Sequence, residues 1–215
     1  MKKNYLIAVE GIDGAGKSTQ IPKIAAYFES KGYTVCLTAE PTKGPFGQRI
    51  RAATTRLDPR TERDLFVDDR KEHLVTCILP ALDRGEVVIT DRYFYSSIAY
   101  QGTRRDALKT GSEAERIALQ DDIAEQNRLY APEADILIYL KIDVDTALAR
   151  MQAGRDALDP FEKKQTLQDV SDAFDRLVKD HPQAVIVDAS QAPETVTASL
   201  YAALDDILKP QEAHV

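Results

Sequence analysis

The stretch that decides the fold reads GIDGAGKS and covers residues 11–18. Its spacing, G-x-x-x-x-G-K-S, is typical of a loop whose backbone N–H groups surround a polyphosphate. In such a loop Lys17, which we expect to be exposed, reaches the β- and γ-phosphate oxygens, and Ser18 offers its hydroxyl to Mg²⁺. A glycine-rich turn before an ordinary helix is the alternative, but the lysine, the serine and both flanks would then coincide by chance.

Both flanks of this loop have the pattern that phosphate binding requires. Residues 5–10 (YLIAVE) are mostly apolar, as in a buried parallel strand, and Ile21, Ile24, Ala25 and Phe28 recur at helical spacing. Further apolar runs lie at residues 34–38, 86–90, 136–140 and 184–187, with helical patterns between them. The alternation predicts an α/β fold with a five-stranded parallel sheet, helices on both faces, and ligands at the carboxyl ends of the strands.

The length and charge of the chain limit the classes of protein that it can be. Its 215 residues have room for one α/β domain, which we place at residues 1–209, followed by a frayed tail at 210–215. The net charge of −7 argues against a nucleic-acid partner, and no stretch approaches the ~20 apolar residues of a membrane span. Cys36 and Cys77 lack the spacing of a zinc site and are expected to be reduced, buried thiols. We therefore predict a cytoplasmic protein with small-molecule partners.

The segment DRYFYSSIAYQG, residues 91–102, is the most informative stretch after the loop. Asp91 ends an apolar strand, where its carboxylate can face Mg²⁺ or a water bound to the metal, and Arg92 can bridge two phosphate groups. An Asp-Arg pair is more often a surface salt bridge. Its position directly after a buried strand of a phosphate-loop protein favours a role in the site.

The segment LFVDDR, residues 65–70, suggests a place for a nucleobase. Phe66 and Arg70 are four residues apart, so on a helix they share one face and combine a flat apolar ring with a planar hydrogen-bonding group. An aromatic core residue beside a surface arginine is the alternative interpretation of this pair.

The chain contains five segments that occur together in one enzyme family: EGIDGAGKST (10–19), EPT (40–42), FVDDR (66–70), DRYFYSSIAYQG (91–102) and ALARMQAGRD (147–156). The family that they resemble is thymidylate kinase, and the likeness extends from about residue 4 to about residue 208. The resemblance implies the fold of a P-loop nucleoside monophosphate kinase with a short mobile lid at about 150–165. It also implies transfer of the γ-phosphoryl group of ATP to dTMP, with ATP and Mg²⁺ as cofactors.

The same resemblance assigns the site residues. Those that hold ATP are Gly11, Ile12, Asp13, Gly14, Ala15, Gly16, Lys17, Ser18, Thr19 and Arg150. Those that hold dTMP are Asp13, Pro41, Arg51, Phe66, Arg70, Arg92, Ser97, Tyr100 and Gln101, with Phe66 stacked on thymine, Arg70 on the edge of the base, and Tyr100 excluding a 2′-hydroxyl. The catalytic residues are Asp13, Lys17, Arg92 and Arg155, and the metal ligands are Ser18 and Asp91.

The position after Asp13 separates two types within this family. Some members have an arginine there, whereas this chain has Gly14 and has Arg150 and Arg155 in the lid segment. We therefore expect the lid-arginine type, with Arg155 on the transferring phosphoryl group and Arg150 on adenine. The chain departs from the common pattern at Ala39, Lys141 and Pro160.

Two other functions remain open at the level of the sequence. One is another P-loop small-molecule kinase, acting on a deoxynucleoside or a different monophosphate, in which Asp13 would be the general base. The other is a nucleotide-dependent switch protein, in which the Phe66/Arg70 pair and the lid arginines would have no obvious role. Members of the family commonly form homodimers, and Leu74, Ile78 and Leu82 suit either a core or such an interface.

Overall fold

The first strand lies in the centre of a parallel sheet, in a computed structural model that describes residues 4–152 and 160–209. All four strand pairings are parallel, and the strand order is β2-β3-β1-β4-β5. The strands are β1 (Leu6–Glu10), β2 (Val35–Ala39), β3 (Val87–Asp91), β4 (Ile136–Lys141) and β5 (Ala184–Asp188). The predicted α/β fold and all five predicted strands are confirmed, with ends that differ by one residue at most.

The helices connect successive strands and cover the sheet. They are α1 (Lys17–Ser30), α2 (Pro45–Ala52), α3 (Pro59–His73), α4 (Leu79–Asp83), α5 (Phe94–Gln101), α6 (Glu113–Arg128), α7 (Val144–Gln152), α8 (Pro160–Asp180) and α9 (Pro193–Leu208). A π-helical turn, Leu74–Ile78, joins α3 to α4. Every residue of β1 is buried, and successive side chains of a strand point to opposite faces, so helices must cover both faces of the sheet.

The structure decides one open alternative about apolar residues and corrects one expectation. Leu74 and Ile78 are at most 3% exposed and belong to the core, which excludes them from an interface, and Leu82 is half-buried. Cys36 and Cys77 are free, as predicted, but they are half-buried and their Sγ atoms lie 3.9 Å apart. Sequence spacing gave no indication of this contact, because it joins the edge strand β2 to the π-helical turn.

Within the described residues, no helix combines the length and the apolar character needed to cross a bilayer. The element order brings the ends of β1, β2 and β3 to one edge of the sheet. The residues that follow these three strands form the site.

Candidate active site

The phosphate loop lies between β1 and α1, as its sequence predicts. Lys17 begins α1, and its Nζ donates to the carbonyl oxygens of Gly11 (3.0 Å) and Ile12 (3.3 Å). The expectation that Lys17 is exposed is wrong: it is 8% exposed, because these carbonyl groups draw its ammonium group into the loop. Burial and the neighbouring Arg92 lower the pKa of Lys17 to about 8.

Gly14 takes a backbone conformation that other residues adopt rarely. Its φ is +85°, and a Cβ atom there would lie 2.6 Å from the carbonyl oxygen of Ala147 in α7. The loop therefore packs directly against the backbone of α7 at the position where some members of the family that the sequence resembles have an arginine.

Arg92 lies at the junction between β3 and α5, and several groups hold its guanidinium. Nη2 donates to Asp13 Oδ1 at 2.6 Å and to the Tyr100 hydroxyl at 3.3 Å, and Nη1 donates to the carbonyl oxygen of Gly11 at 3.2 Å and to Ser96 Oγ at 3.0 Å. The guanidinium carbon lies 4.9 Å from the centre of the Tyr100 ring. The backbone of Arg92 has φ +70°, in the left-handed region.

A cavity of about 470 Å³ opens over the phosphate loop. Its lining includes Gly14, Gly16, Lys17, Ser18, Thr19 and Asp91. The Oδ1 atom of Asp91 is buried and makes no hydrogen bond. Mg²⁺ commonly binds one or two carboxylates together with substrate phosphates, so an unpaired carboxylate oxygen of a residue that lines the same cavity as Ser18 fits the predicted metal site.

A second cavity, of about 210 Å³, lies between α3 and α5. It is lined by Phe66 and Arg70 from α3 and by Ser97, Tyr100 and Gln101 from α5, together with Pro41. Phe66 and Arg70 thus share one wall, as their spacing predicts. Gln101 is 5% exposed, and its Oε1 atom makes no hydrogen bond, which leaves an acceptor inside the cavity.

The two cavities meet at one place. Asp13, Glu40 and Arg92 line both of them. A group bound over the phosphate loop and a group bound between α3 and α5 would therefore face each other across the Asp13–Arg92 ion pair. Such an arrangement suits in-line transfer between two bound molecules.

Arg70 is more tightly held than sequence reasoning suggests. It is 1% exposed and donates from Nε and Nη2 to Glu40 Oε2 (2.9 and 2.7 Å), from Nη1 to Asn127 Oδ1 (2.6 Å) and from Nη2 to Ser97 Oγ (2.9 Å). His73 contacts the other carboxylate oxygen of Glu40 at 3.1 Å. Sequence reasoning missed Glu40 as the centre of this network, although an acidic residue directly after a strand was a usable signal.

Arg51 lies beside the carbonyl oxygens of Pro41 and Thr42 and donates to both. It is exposed and lines the cavity over the phosphate loop. The structure therefore places it near the predicted phosphates, on the side of the loop that follows β2.

Two further groups were missed. Arg56 and Glu62 line the second cavity, and Glu62 pairs with the buried Arg104 at 2.5 Å. No sequence signal could have found this pair, because it joins residues 42 positions apart through loop geometry.

Glu10, the last residue of β1, is fully buried, and burial raises its pKa to about 7. An acid at the end of an apolar strand was visible in the sequence.

The segment predicted to be a lid, at about residues 150–165, is described only in part. Arg155 lies outside the described residues. Arg150, in α7, donates to the carbonyl oxygens of Ala189 (2.9 Å) and Ser190 (3.1 Å) and reaches that of Gly14 at 3.5 Å. Lys141, one of the departures from the common pattern, pairs with Asp175 of α8 at 2.7 Å.

A phosphate loop after the central strand, the Asp91 carboxylate at the end of β3 and a second cavity facing the loop define a P-loop kinase of the nucleoside monophosphate kinase class. Comparison with known proteins narrows the class. The profile of the family described as thymidylate kinase matches residues 9–200. The chain belongs to the thymidylate kinase family and is an ATP-dependent nucleoside monophosphate kinase.

Individual relatives agree with this assignment. The thymidylate kinase of Xanthomonas euvesicatoria pv. vesicatoria is 41% identical over 199 residues, which cover 92% of this chain and 81% of that protein. That of Xanthomonas campestris pv. campestris (strain B100) is 40% identical, with 97% and 88% covered. A probable thymidylate kinase of Archaeoglobus fulgidus is 39% identical, with 94% and 96% covered. Neither alternative function is favoured by these likenesses.

Proposed function

We propose that this chain transfers the γ-phosphoryl group of ATP to the phosphate of dTMP, forming ADP and dTDP. The observation that carries the proposal is the meeting of the two cavities at Asp13 and Arg92. ATP on the phosphate loop and dTMP between α3 and α5 would present their phosphates to each other at this place. Membership of the thymidylate kinase family supports the choice of substrates.

The acceptor pocket suits a thymine base. The half-buried Phe66 ring offers a stacking surface, and Arg70, Ser97 and the unpaired Gln101 oxygen offer polar groups to the edge of the base. The pairing of Arg70 with Glu40 fixes the position of the guanidinium before the base binds. Binding therefore costs little side-chain conformational entropy at Arg70.

Phosphoryl transfer to a phosphate requires no general base, because the attacking oxygen is ionised near neutral pH. The work of this chain is to position the reactants and stabilise charge. Lys17 and Arg92 would contact the transferring group from opposite sides, and Asp13 would orient Arg92 through their 2.6 Å ion pair. Arg51 would turn from the carbonyl groups of Pro41 and Thr42 to the acceptor phosphate.

Mg²⁺ would be held by Ser18 and the unpaired Asp91 oxygen together with phosphate oxygens. When bound, the metal would neutralise part of the charge on the ATP phosphates. Arg150 would lie on the adenine side, since it contacts the loop after β5 and Gly14, and Arg155 would close from the lid at about 150–165.

At the level of the whole chain, we propose a single kinase domain at residues 1–209 that acts in the cytoplasm; the tail predicted at 210–215 lies outside the described residues. The proposed assembly is a homodimer. Val75, in the π-helical turn, is 66% exposed, and Leu79, the first residue of α4, is 40% exposed. A second copy of the same face would cover both by twofold symmetry.

The test of the proposed function is a panel of acceptors with ATP and Mg²⁺. We expect formation of dTDP from dTMP, and no product from thymidine. Phosphorylation of thymidine but not of dTMP would overturn the proposal in favour of a nucleoside kinase. Failure to bind dTMP in isothermal titration, with ATP still bound, would favour a switch protein.

A further inference from the structure

Glu10 connects the strand before the phosphate loop to the helix that lines the acceptor pocket. Its side chain is fully buried. Its Oε1 accepts from the backbone N–H groups of Tyr93 (2.8 Å) and Ser96 (3.2 Å), and its Oε2 accepts from the Ser96 hydroxyl (2.6 Å). One carboxylate from β1 thus accepts from two backbone N–H groups at the start of α5, which has no side-chain cap of its own.

The Ser96 hydroxyl extends this connection to Arg92. A hydroxyl has one proton to donate, and the proton of Ser96 goes to Glu10 Oε2. The Ser96 oxygen therefore presents only lone pairs to Arg92, whose Nη1 donates to it at 3.0 Å. The direction of the second hydrogen bond depends on the first.

We propose that Glu10 and Ser96 are positioning residues that act as a relay, in which Glu10 fixes the Ser96 hydroxyl as an acceptor and thereby holds the Arg92 guanidinium where the two cavities meet. The inference rests on the proposed function, because it gives Arg92 a place in phosphoryl transfer. It assigns to Ser96 a task different from that of its neighbour Ser97, which bonds Arg70 instead.

A carboxylate is required because an amide would reverse the relay. In Glu10→Gln the remaining oxygen can still accept from the two backbone N–H groups, so the cap on α5 is kept. The new Nε2 group would donate to the Ser96 oxygen, and the Ser96 proton would then turn towards Arg92. Two donors would face each other, and Arg92 would leave its position.

The experiment is a double-variant cycle of Glu10→Gln and Ser96→Ala, assayed with saturating ATP and varied dTMP at about pH 8.5, above the raised pKa of Glu10. We expect each single variant to lower kcat/KM for dTMP by about 10-fold to 100-fold, since a displacement of about 1 Å near the chemistry has effects of this size. In a second series, with saturating dTMP and varied ATP, the KM for ATP should change by less than about threefold. The double variant should be no more than about threefold worse than Ser96→Ala alone, because both changes break one relay.

Glu133→Gln is the matched control. Glu133 Oε2 also accepts a hydrogen bond from α5, from the Tyr95 hydroxyl at 2.6 Å, and it makes none with Arg92. This variant should keep wild-type kcat/KM for dTMP. A loss there equal to that of Glu10→Gln would mean that any weakened support of α5 lowers activity, and it would overturn the relay.

Two further outcomes decide the matter. One is a double variant whose loss of kcat/KM for dTMP equals the product of the two single losses. The other is a pair of single variants whose kcat/KM lies within about twofold of wild type. Either result would overturn the proposal. If Glu10→Gln does not fold, Ser96→Thr replaces it: the relay requires that this hydroxyl-bearing variant exceed Ser96→Ala in kcat/KM by at least about fivefold, and equality overturns it. Wild-type enzyme without activity on dTMP would contradict the proposed function itself, so the two failures are distinguishable.

Discussion

At the scale of single residues, Tyr100 contacts Arg92 and is also predicted to exclude a 2′-hydroxyl group from the sugar site. Its ring lies under the Arg92 guanidinium, and its hydroxyl accepts from Arg92 at 3.3 Å. If the ring also crowds the 2′ position of the sugar, the two tasks belong to different atoms of one side chain. Variants that remove the hydroxyl or the whole ring can therefore separate them.

We expect Tyr100→Phe to keep the preference for dTMP over the corresponding ribonucleotide, because the ring remains. We expect Tyr100→Ala to reduce that preference by about 10-fold or more, since a site loses discrimination when the group that excludes the competitor is removed. The measurement is kcat/KM on both sugars for both variants. Equal efficiency of the wild-type enzyme on the two sugars would show that the ring does not guard this position.

Glu10 makes the stability of the fold depend on pH. Burial raises its pKa from the ordinary 4.5 to about 7, against the opposing influence of Arg92, Ser96, Tyr93 and Lys17. Between these two values the folded chain keeps a proton that the unfolded chain has lost, so the free energy of unfolding falls as the pH rises through this window.

Urea denaturation of wild type and Glu10→Gln, from about pH 4.5 to about pH 8.5, tests this dependence. Relative to the variant, which cannot titrate at this position, the wild type should lose stability as the pH rises to about 7 and level off above it. Parallel profiles across the whole range would show that Glu10 has an ordinary pKa in the folded chain.

At the scale of elements, α3 is joined to β2 through Glu40. Arg70 and His73 of α3 both contact this one carboxylate, and all three side chains are at most 2% exposed. Helix α3 also carries Phe66, so its position sets the width of the acceptor pocket. The Glu40 network therefore affects both the stability of the fold and the width of the acceptor pocket.

We expect Glu40→Ala to destabilise the fold by about 3–5 kcal/mol, because it leaves the Arg70 guanidinium buried without its partner. Glu86→Ala breaks an ion pair with Arg84 at the surface and should cost far less. Urea denaturation midpoints of both variants against wild type provide the comparison. A loss in Glu40→Ala no larger than that in Glu86→Ala would contradict the role given to the buried pair.

The function of the proposed lid, at about residues 150–165, can also be tested. Removing Arg155 should lower kcat by on the order of 10³-fold, with a much smaller change in KM, since its contacts would strengthen as charge shifts in the transition state. Removing Arg150 should instead raise mainly the KM for ATP. Steady-state kinetics of the two alanine variants should therefore differ in kind, and near-normal kcat in Arg155→Ala would redirect the search to Lys163 or Lys164.

The elements could be predicted from the sequence where the pattern that identifies them lies within a few neighbouring residues. The phosphate loop and the five strands follow from patterns of four to eight neighbouring residues, and the Phe66/Arg70 wall follows from helical spacing. Glu10 and Glu40 were not predicted as parts of the site, because their partners come from elements 30 to 86 positions away. Burial of Lys17 was missed for a similar reason, since it depends on carbonyl groups that turn towards it only in the folded loop.

At the scale of the whole molecule, the face proposed for a homodimer contains the exposed residues Val75 and Leu79. We expect Val75→Lys to shift the mass measured by light scattering from twice 23.9 kDa towards the single-chain value, because a charge on a buried interface is costly. Leu129→Lys is the control, since Leu129 is 86% exposed and lies at the end of α6. A single-chain mass for the wild type would contradict the proposed dimer.

The contact between Gly14 and the backbone of α7 has a consequence for how this enzyme can evolve. Any side chain at position 14 would collide with the carbonyl oxygen of Ala147, and the φ of +85° would disfavour it further. A single substitution that places an arginine at position 14 is therefore expected to be unfavourable unless α7 shifts as well. If Arg155 has the proposed role, descendants of this sequence are expected to retain it, because a loop arginine could replace it only through two or more simultaneous changes.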